Sequence, residues 1–260
     1  MRTRLITGSI LLAVSSVFLY NGMSALYFAL LAVAAVLVYE LLGLNPIMKD
    51  HHIAMGMVLT STILFFILSL LIPNNTLMIS GFFCLIHLFL ASELWHGRLM
   101  GLDSVFLYGL RCFYIASSIL CIFLLRHIDS GLAILLFAFV SIWITDSFAY
   151  FGGKLMGKRP FSSYSPNKTI EGTAIGFIAA VIFGIFIAEK LGWTPLFTAT
   201  LAGLISIIGQ IGDLHESMTK RVFNVKDSSK LLPGHGGFYD RLDSSIAAMP
   251  FVLFFLECFL

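Results

Sequence analysis

Charge is what this sequence has least of. Only 12% of its 260 residues are Asp, Glu, Lys or Arg, against about 25% in an ordinary soluble domain. With 58% of positions hydrophobic, there is too little polar surface to cover a soluble core of this size. Cysteine is scarce too. Cys84, Cys112, Cys121 and Cys258 all lie in apolar runs and show neither metal-ligand spacing nor a disulfide framework, so they read as small buried hydrophobes. Internal repeats, low-complexity tracts and a second, soluble domain are also absent.

What the sequence does have is apolar runs near twenty residues long, the length that crosses a bilayer core. These predict an all-α, polytopic integral membrane protein of about nine transmembrane helices, near 5–21, 23–42, 53–72, 76–92, 104–125, 130–152, 172–189, 194–212 and 243–260. The opening MRTRLITGSILLAVSS resembles a signal peptide. It reads instead as a retained first helix, because the apolar stretch runs to Tyr20 with no small-x-small cleavage site. The chain divides into N-terminal membrane helices, 1–129, and a membrane region, 130–260, that carries two long polar loops at 153–171 and 213–242.

Nine spans place alternate loops on opposite faces. All sixteen Lys and Arg residues except Arg126 and Lys190 then fall on one face. Basic residues stay on the cytoplasmic side during insertion. The N-terminus and both polar loops are therefore expected in the cytoplasm, where the two loops can act together.

The first polar region is WITDSFAYFGGKLMGKRPFSSYSPNKTIEG, Trp143 to Gly172. Asp146 sits in or at the end of an apolar helix, where an ionisable group is costly and marks a functional position. Gly152, Gly153 and Gly157, with Lys154, Lys158, Arg159 and Lys168, suit phosphate. GGKLMGKR falls short of a P-loop, because Arg159 stands where the metal-binding hydroxyl belongs and the run follows a membrane helix. A basic loop lying on anionic lipid headgroups would explain the lysines but not Asp146.

The second region spans Asp213 to Asp243. Its acidic residues (Asp213, Glu216, Asp227, Asp240, Asp243) balance its basic ones (Lys220, Arg221, Lys226, Lys230, Arg241), which argues against a simple lipid-binding patch. Asp213, Glu216 and Ser217 share one helical face. Carboxylates at both mouths of the loop, with cations between them, suit a divalent metal and a polyphosphate. Asp240 and Asp243 can hold metal where the last helix begins, while His235 and the amides of Gly236 and Gly237 approach phosphate. Taken singly, these aspartates would serve as helix caps and Arg241 as a topology anchor. Thirteen consecutive positions, LPGHGGFYDRLDS, hold them all.

The stretch SMTKRVFNVKDSSKLLPGHGGFYDRLDS resembles the signature of phosphatidate cytidylyltransferases, S-x-x-K-R-x4-K-D-x-[GSA]-x2-[LIF]-[PG]-x-H-G-G-x-x-D-R-x-D. Ser217, Lys220, Arg221, Lys226, Asp227, Ser229, Leu232, Pro233, His235, Gly236, Gly237, Asp240, Arg241 and Asp243 all fit. The resemblance covers the C-terminal half well and the first five spans only in hydrophobicity. It implies a polytopic, often dimeric fold with a cytoplasm-facing polar cavity. It also implies the reaction of CTP with phosphatidate to give CDP-diacylglycerol and pyrophosphate. Mg²⁺ would be held by Asp213 and Asp240, with a second, monovalent ion such as K⁺. Lys220, Arg221, Lys226 and Arg241 would contact the triphosphate or the lipid phosphate. His235 would donate a hydrogen bond to phosphate, Asp146 and Lys168 would complete the pocket, and Ser217 would add a polar contact. The expected partners are CTP, phosphatidate and the bilayer, without nucleic acid, and the expected place is a bacterial inner membrane. Two other classes compete: a CTP-dependent lipid kinase, and a transporter for a phosphorylated solute.

Overall fold

The computed structural model describes residues 22–44, 76–95 and 105–259, with a few isolated positions between 56 and 67. Seven helices and one hairpin make up these stretches: α1 (Met23–Leu44), α2 (Thr76–Trp95), α3 (Val105–His127), α4 (Gly131–Met156), β1 (Pro160–Ser162), β2 (Ser165–Thr169), α5 (Ile170–Leu191), α6 (Pro195–Val222) and α7 (Tyr239–Phe259). Among the described residues six helices are long and apolar enough to cross a membrane. The protein is a multi-pass, helical membrane protein. The spans expected near 5–21 and 53–72 lie outside the described residues.

The last helix is the hub. From Ser244 to Pro250 every residue of α7 is buried, and the helix packs on α6, α2, α3, α4 and α1. Leu37, Leu41 and Leu42 of α1, Phe83 and Leu90 of α2 and Ile115 and Ile119 of α3 are fully enclosed around it. On the outside, Ile178, Ile182, Ile185 and Phe186 of α5 stay exposed, as lipid-facing side chains should, since acyl chains are as apolar as they are.

Helix α5 is built for close approach. Its buried residues are Gly172, Gly176, Ala180, Gly184 and Ala188, one every four positions and so one stripe on a 3.6-residue helix. A Cβ at Gly172 would sit 2.5 Å from the Ala149 carbonyl of α4, one at Gly176 would sit 2.6 Å from the Thr145 carbonyl, and one at Gly184 would sit 2.6 Å from the Thr198 carbonyl of α6. Small residues let membrane helices approach until their backbones touch, and the dispersion gained holds them together where no hydrophobic force acts. The stripe packs the cavity-lining end of α4 against α5 at Gly172 and Gly176, and the far end of α6 against α5 at Gly184.

Two differences from the sequence reading matter for the site. The stretch 153–171 is not a simple loop. Helix α4 runs on to Met156, and β1 and β2 pair as an antiparallel hairpin. Glu171 anchors this hairpin by accepting hydrogen bonds from the backbone of Lys158 (3.1 Å) and Arg159 (3.2 Å) and from Arg159 Nε (3.0 Å). Thr169 then caps α5 by accepting from Gly172 N at 3.1 Å. The stretch 213–242 is also shorter as a loop, because α6 continues to Val222 and α7 begins at Tyr239. Asp213, Glu216, Ser217, Lys220 and Arg221 are therefore helical. Polar residues on a helix that lines a wet cavity lower its hydropathy without breaking it.

Candidate active site

The ends of α4, α6 and α7, the hairpin and the 223–238 loop enclose a cavity of about 850 Å³. Three helices bring a carboxylate each. Asp146 comes from α4, Asp213 from α6 and Asp243 from α7, and Glu216 joins them one turn after Asp213. One oxygen from each of Asp213, Glu216 and Asp243 lies within 4.8 Å of the other two. Gly212 makes this possible, because a Cβ there would meet the Ala247 Cβ at 2.3 Å and the Asp243 carbonyl at 2.9 Å. Only glycine lets α7 come so near α6 at this level.

Cations balance the cluster. Lys168 of β2 forms an ion pair with Asp213. Lys220 lies 2.7 Å from Glu216 Oε2 and 2.7 Å from Asp240 Oδ1. Glu216 is 1% exposed, and a carboxylate so enclosed needs a positive partner.

Asp240 lies beside Glu216 at the edge of the three-carboxylate group, and Lys220 bridges the two. Its Oδ2 accepts hydrogen bonds from Ser228 N (2.9 Å), Ser228 Oγ (3.0 Å) and Gly237 N (2.7 Å), and its Oδ1 accepts from Lys220. Asp240 thus ties the signature loop to α6, while Asp243 and Glu216 stand beside Asp213. The glycine turn is likewise folded inward. Gly236 has φ +82°, a left-handed conformation that glycine adopts freely, and Gly237 is buried with its amide on Asp240. Neither glycine lines the cavity, and neither do His235 and Ser217. The His235 carbonyl receives Nε and Nη2 of Arg241 at 2.9 and 2.7 Å.

Asp146, Lys168, Lys220, Arg221, Lys226, Asp240, Arg241 and Asp243 do line the cavity, as does Asp213. Arg221 donates to the Val225 carbonyl at 2.9 Å and so braces the loop start. Glu216, expected on the same helical face as Asp213, does stand beside it. Sequence reasoning did not single out the hairpin as part of the site. The hairpin contributes Phe161, Ser165 and Asn167 to the cavity wall.

A bundle of membrane-length helices with a polar, carboxylate-lined cavity at their ends defines the class, a multi-pass membrane enzyme. More specifically, residues 2–259 match the model of the cytidylyltransferase family, and the chain belongs to that family. It is 33% identical to the phosphatidate cytidylyltransferase of Helicobacter pylori over 263 residues, which covers 98% of this chain and 93% of that protein. It is 42% identical over 161 residues to the enzyme of that name from Bacillus subtilis, 60% of each chain. A chloroplastic relative from Arabidopsis thaliana, phosphatidate cytidylyltransferase 4, is 43% identical over 46% of this chain and 31% of its own length.

Proposed function

We propose that this protein transfers CMP from CTP to phosphatidate, giving CDP-diacylglycerol and pyrophosphate. The carrying observation is the convergence of Asp213, Glu216 and Asp243 with Lys168 and Lys220 in one cavity, in a chain of this family. A phosphate oxygen of phosphatidate forms a bond to the α-phosphorus of CTP. The bond from that phosphorus to the bridging oxygen of the β-phosphate breaks, and pyrophosphate leaves with the electron pair. Phosphatidate is already an anion at neutral pH, so no side chain has to take a proton from it. The protein must instead align two anions and offset their repulsion.

The donor set fits a hard divalent ion. Carboxylate oxygens are what Mg²⁺ takes, with substrate phosphates completing its shell, and three enclosed carboxylates so close together need positive charge between them. Asp213, Glu216 and Asp243 would hold it. Bound there, it would neutralise the oxygens of the transferring and leaving groups. Asp240 serves this site by fixing Lys220 and the loop. Lys226, Arg221 and Arg241 border the same space for triphosphate or lipid phosphate.

Lipid reaches the cavity from the side. Trp143 and Tyr150 of α4 line it and are 53% and 64% exposed, flanked by exposed Phe148, Phe151 and Leu155. That edge is apolar and suits acyl chains, while Asp213, Glu216 and Asp243 are less exposed. The location we favour is a bacterial inner membrane, with the cavity open to the cytoplasm.

The decisive measurement follows both products in mild detergent, with phosphatidate, CTP and Mg²⁺. Equal amounts of CDP-diacylglycerol and pyrophosphate are expected. EDTA should abolish both and Mg²⁺ restore them, and Asp213→Asn should lower the rate at least about 100-fold, in the upper range for a lost electrostatic group. Release of CDP with a newly phosphorylated alcohol would replace this reading with a kinase. Solute flux in vesicles without CTP consumption would point to a transporter.

A further inference from the structure

Glu40 lies in α1, far from the signature in sequence, and is 2% exposed. Its carboxylate reaches the signature loop. Oε1 accepts hydrogen bonds from Ser229 Oγ at 2.6 Å and Phe238 N at 3.0 Å. Oε2 accepts from Tyr239 N at 2.7 Å and Ser228 Oγ at 3.2 Å. Two of the four donors are the backbone amides of Tyr239, the first residue of α7, and of Phe238 just before it, and amides at a helix start have no partner within their own helix. A residue from the opposite end of the chain thus caps the helix that bears Asp240 and Asp243, and its negative charge suits that helix end.

The contacts continue to the cavity. Ser228 Oγ also lies 3.0 Å from Asp240 Oδ2, Asp240 Oδ1 receives Lys220, and Lys220 lies beside Glu216. Gly237 is pressed between these groups, since a Cβ there would lie 2.6 Å from both Glu40 oxygens.

We infer that Glu40 is a positioning residue for the transfer reaction: through Ser228, Asp240 and Lys220 it sets where the last helix presents its aspartates to the cavity. This rests on the CMP-transfer reading for its activity readout alone. The chemistry demands a carboxylate. The Ser229 hydroxyl and the two backbone N–H groups donate, the single Ser228 hydroxyl proton is shared between Glu40 and Asp240, and a carboxylate only accepts. A glutamine in its place turns an NH₂ toward Phe238 N or Tyr239 N, whichever way the amide is flipped.

The test compares wild type, Glu40→Gln and Glu40→Asp as full-length protein in detergent. It measures kcat and KM for CTP together with hydrogen exchange at the amides of Phe238 and Tyr239. Glu40→Gln should expose those amides and lower kcat by about 10–100-fold, the usual effect of losing a group that orients metal-site residues. Glu40→Asp, which keeps the charge, should recover part of the rate. Folded Glu40→Gln with unchanged kcat, or with amides as protected as in wild type, overturns the inference. If Glu40→Gln fails to fold, Ser229→Ala removes one bond and should cost about fivefold in kcat, the weight of one hydrogen bond; an unchanged rate there overturns it. If wild type makes no CDP-diacylglycerol, the reaction reading fails, and amide exchange alone still decides the role of Glu40.

Discussion

At Gly212 a single hydrogen stands between α6 and the backbone of α7. Because the next residue is Asp213 and the backbone it touches belongs to Asp243, this one position sets the separation of two of the three clustered carboxylates. Gly212→Ala adds only a methyl, yet that methyl would overlap Ala247. Overpacking of this kind costs about 1–3 kcal/mol. The expected outcome is a protein that still inserts and folds, with a lower melting temperature and a rate reduced at least about tenfold, because misplaced groups lose rate steeply. The types and spacing of Asp213, Asp243 and Lys220 already carry chemistry in the sequence, and all three line the cavity. Which carboxylate meets which neighbour is not written there. The resemblance paired Asp213 with Asp240, and only the folded arrangement shows Asp240 spending its oxygens on Lys220, Ser228 and Gly237. Nor does a lone glutamate near the end of an apolar segment announce that Glu40 will meet donors about two hundred residues away.

Among the elements, α5 does the spacing. Its stripe of Gly172, Gly176, Ala180, Gly184 and Ala188 was present in the sequence as a strict four-residue recurrence and could have been read as a close-packing face. Hydropathy alone passes over it, since glycine and alanine look neutral there. Ala180 is fully buried in the middle of this stripe. Ala180→Leu should force the neighbouring helices apart, with loss of CDP-diacylglycerol formation and a lower melting temperature, whereas Ile182→Leu on the exposed face should leave both unchanged. The ends of α4 and α6 were mistaken for loop for a related reason. A helix that lines a wet cavity carries polar residues in its last turns, and Lys220 and Arg221 are favourable at a helix C-terminus. Span-finding by apolar length stops where the cavity begins.

For the whole molecule, the helical, multi-pass character was plain from composition, because runs near twenty apolar residues have few other uses. Of the nine expected spans, six coincide with candidate crossings among the described residues, 76–92 falls on α2, and the two near 5–21 and 53–72 lie largely outside the described residues. The orientation expected from the charge asymmetry can be checked directly. In a background without the native cysteines, a cysteine at Lys230, in the signature loop, should react with an impermeant maleimide only from the cytoplasmic side. One at Asp129, in the turn between α3 and α4, should react only from the other side. Labelling of both positions from the same side would overturn the topology and with it the cytoplasmic cavity.

The clamp on Glu40 also constrains how the molecule is made. Residue 40 leaves the ribosome early, whereas Phe238 and Tyr239 emerge near the end of synthesis. Until they arrive, a carboxylate waits in α1 without the donors that offset its burial. Helix α1 therefore gains the partners of its buried carboxylate only when α7 docks, and a chain cut short before α7 would keep that group without them.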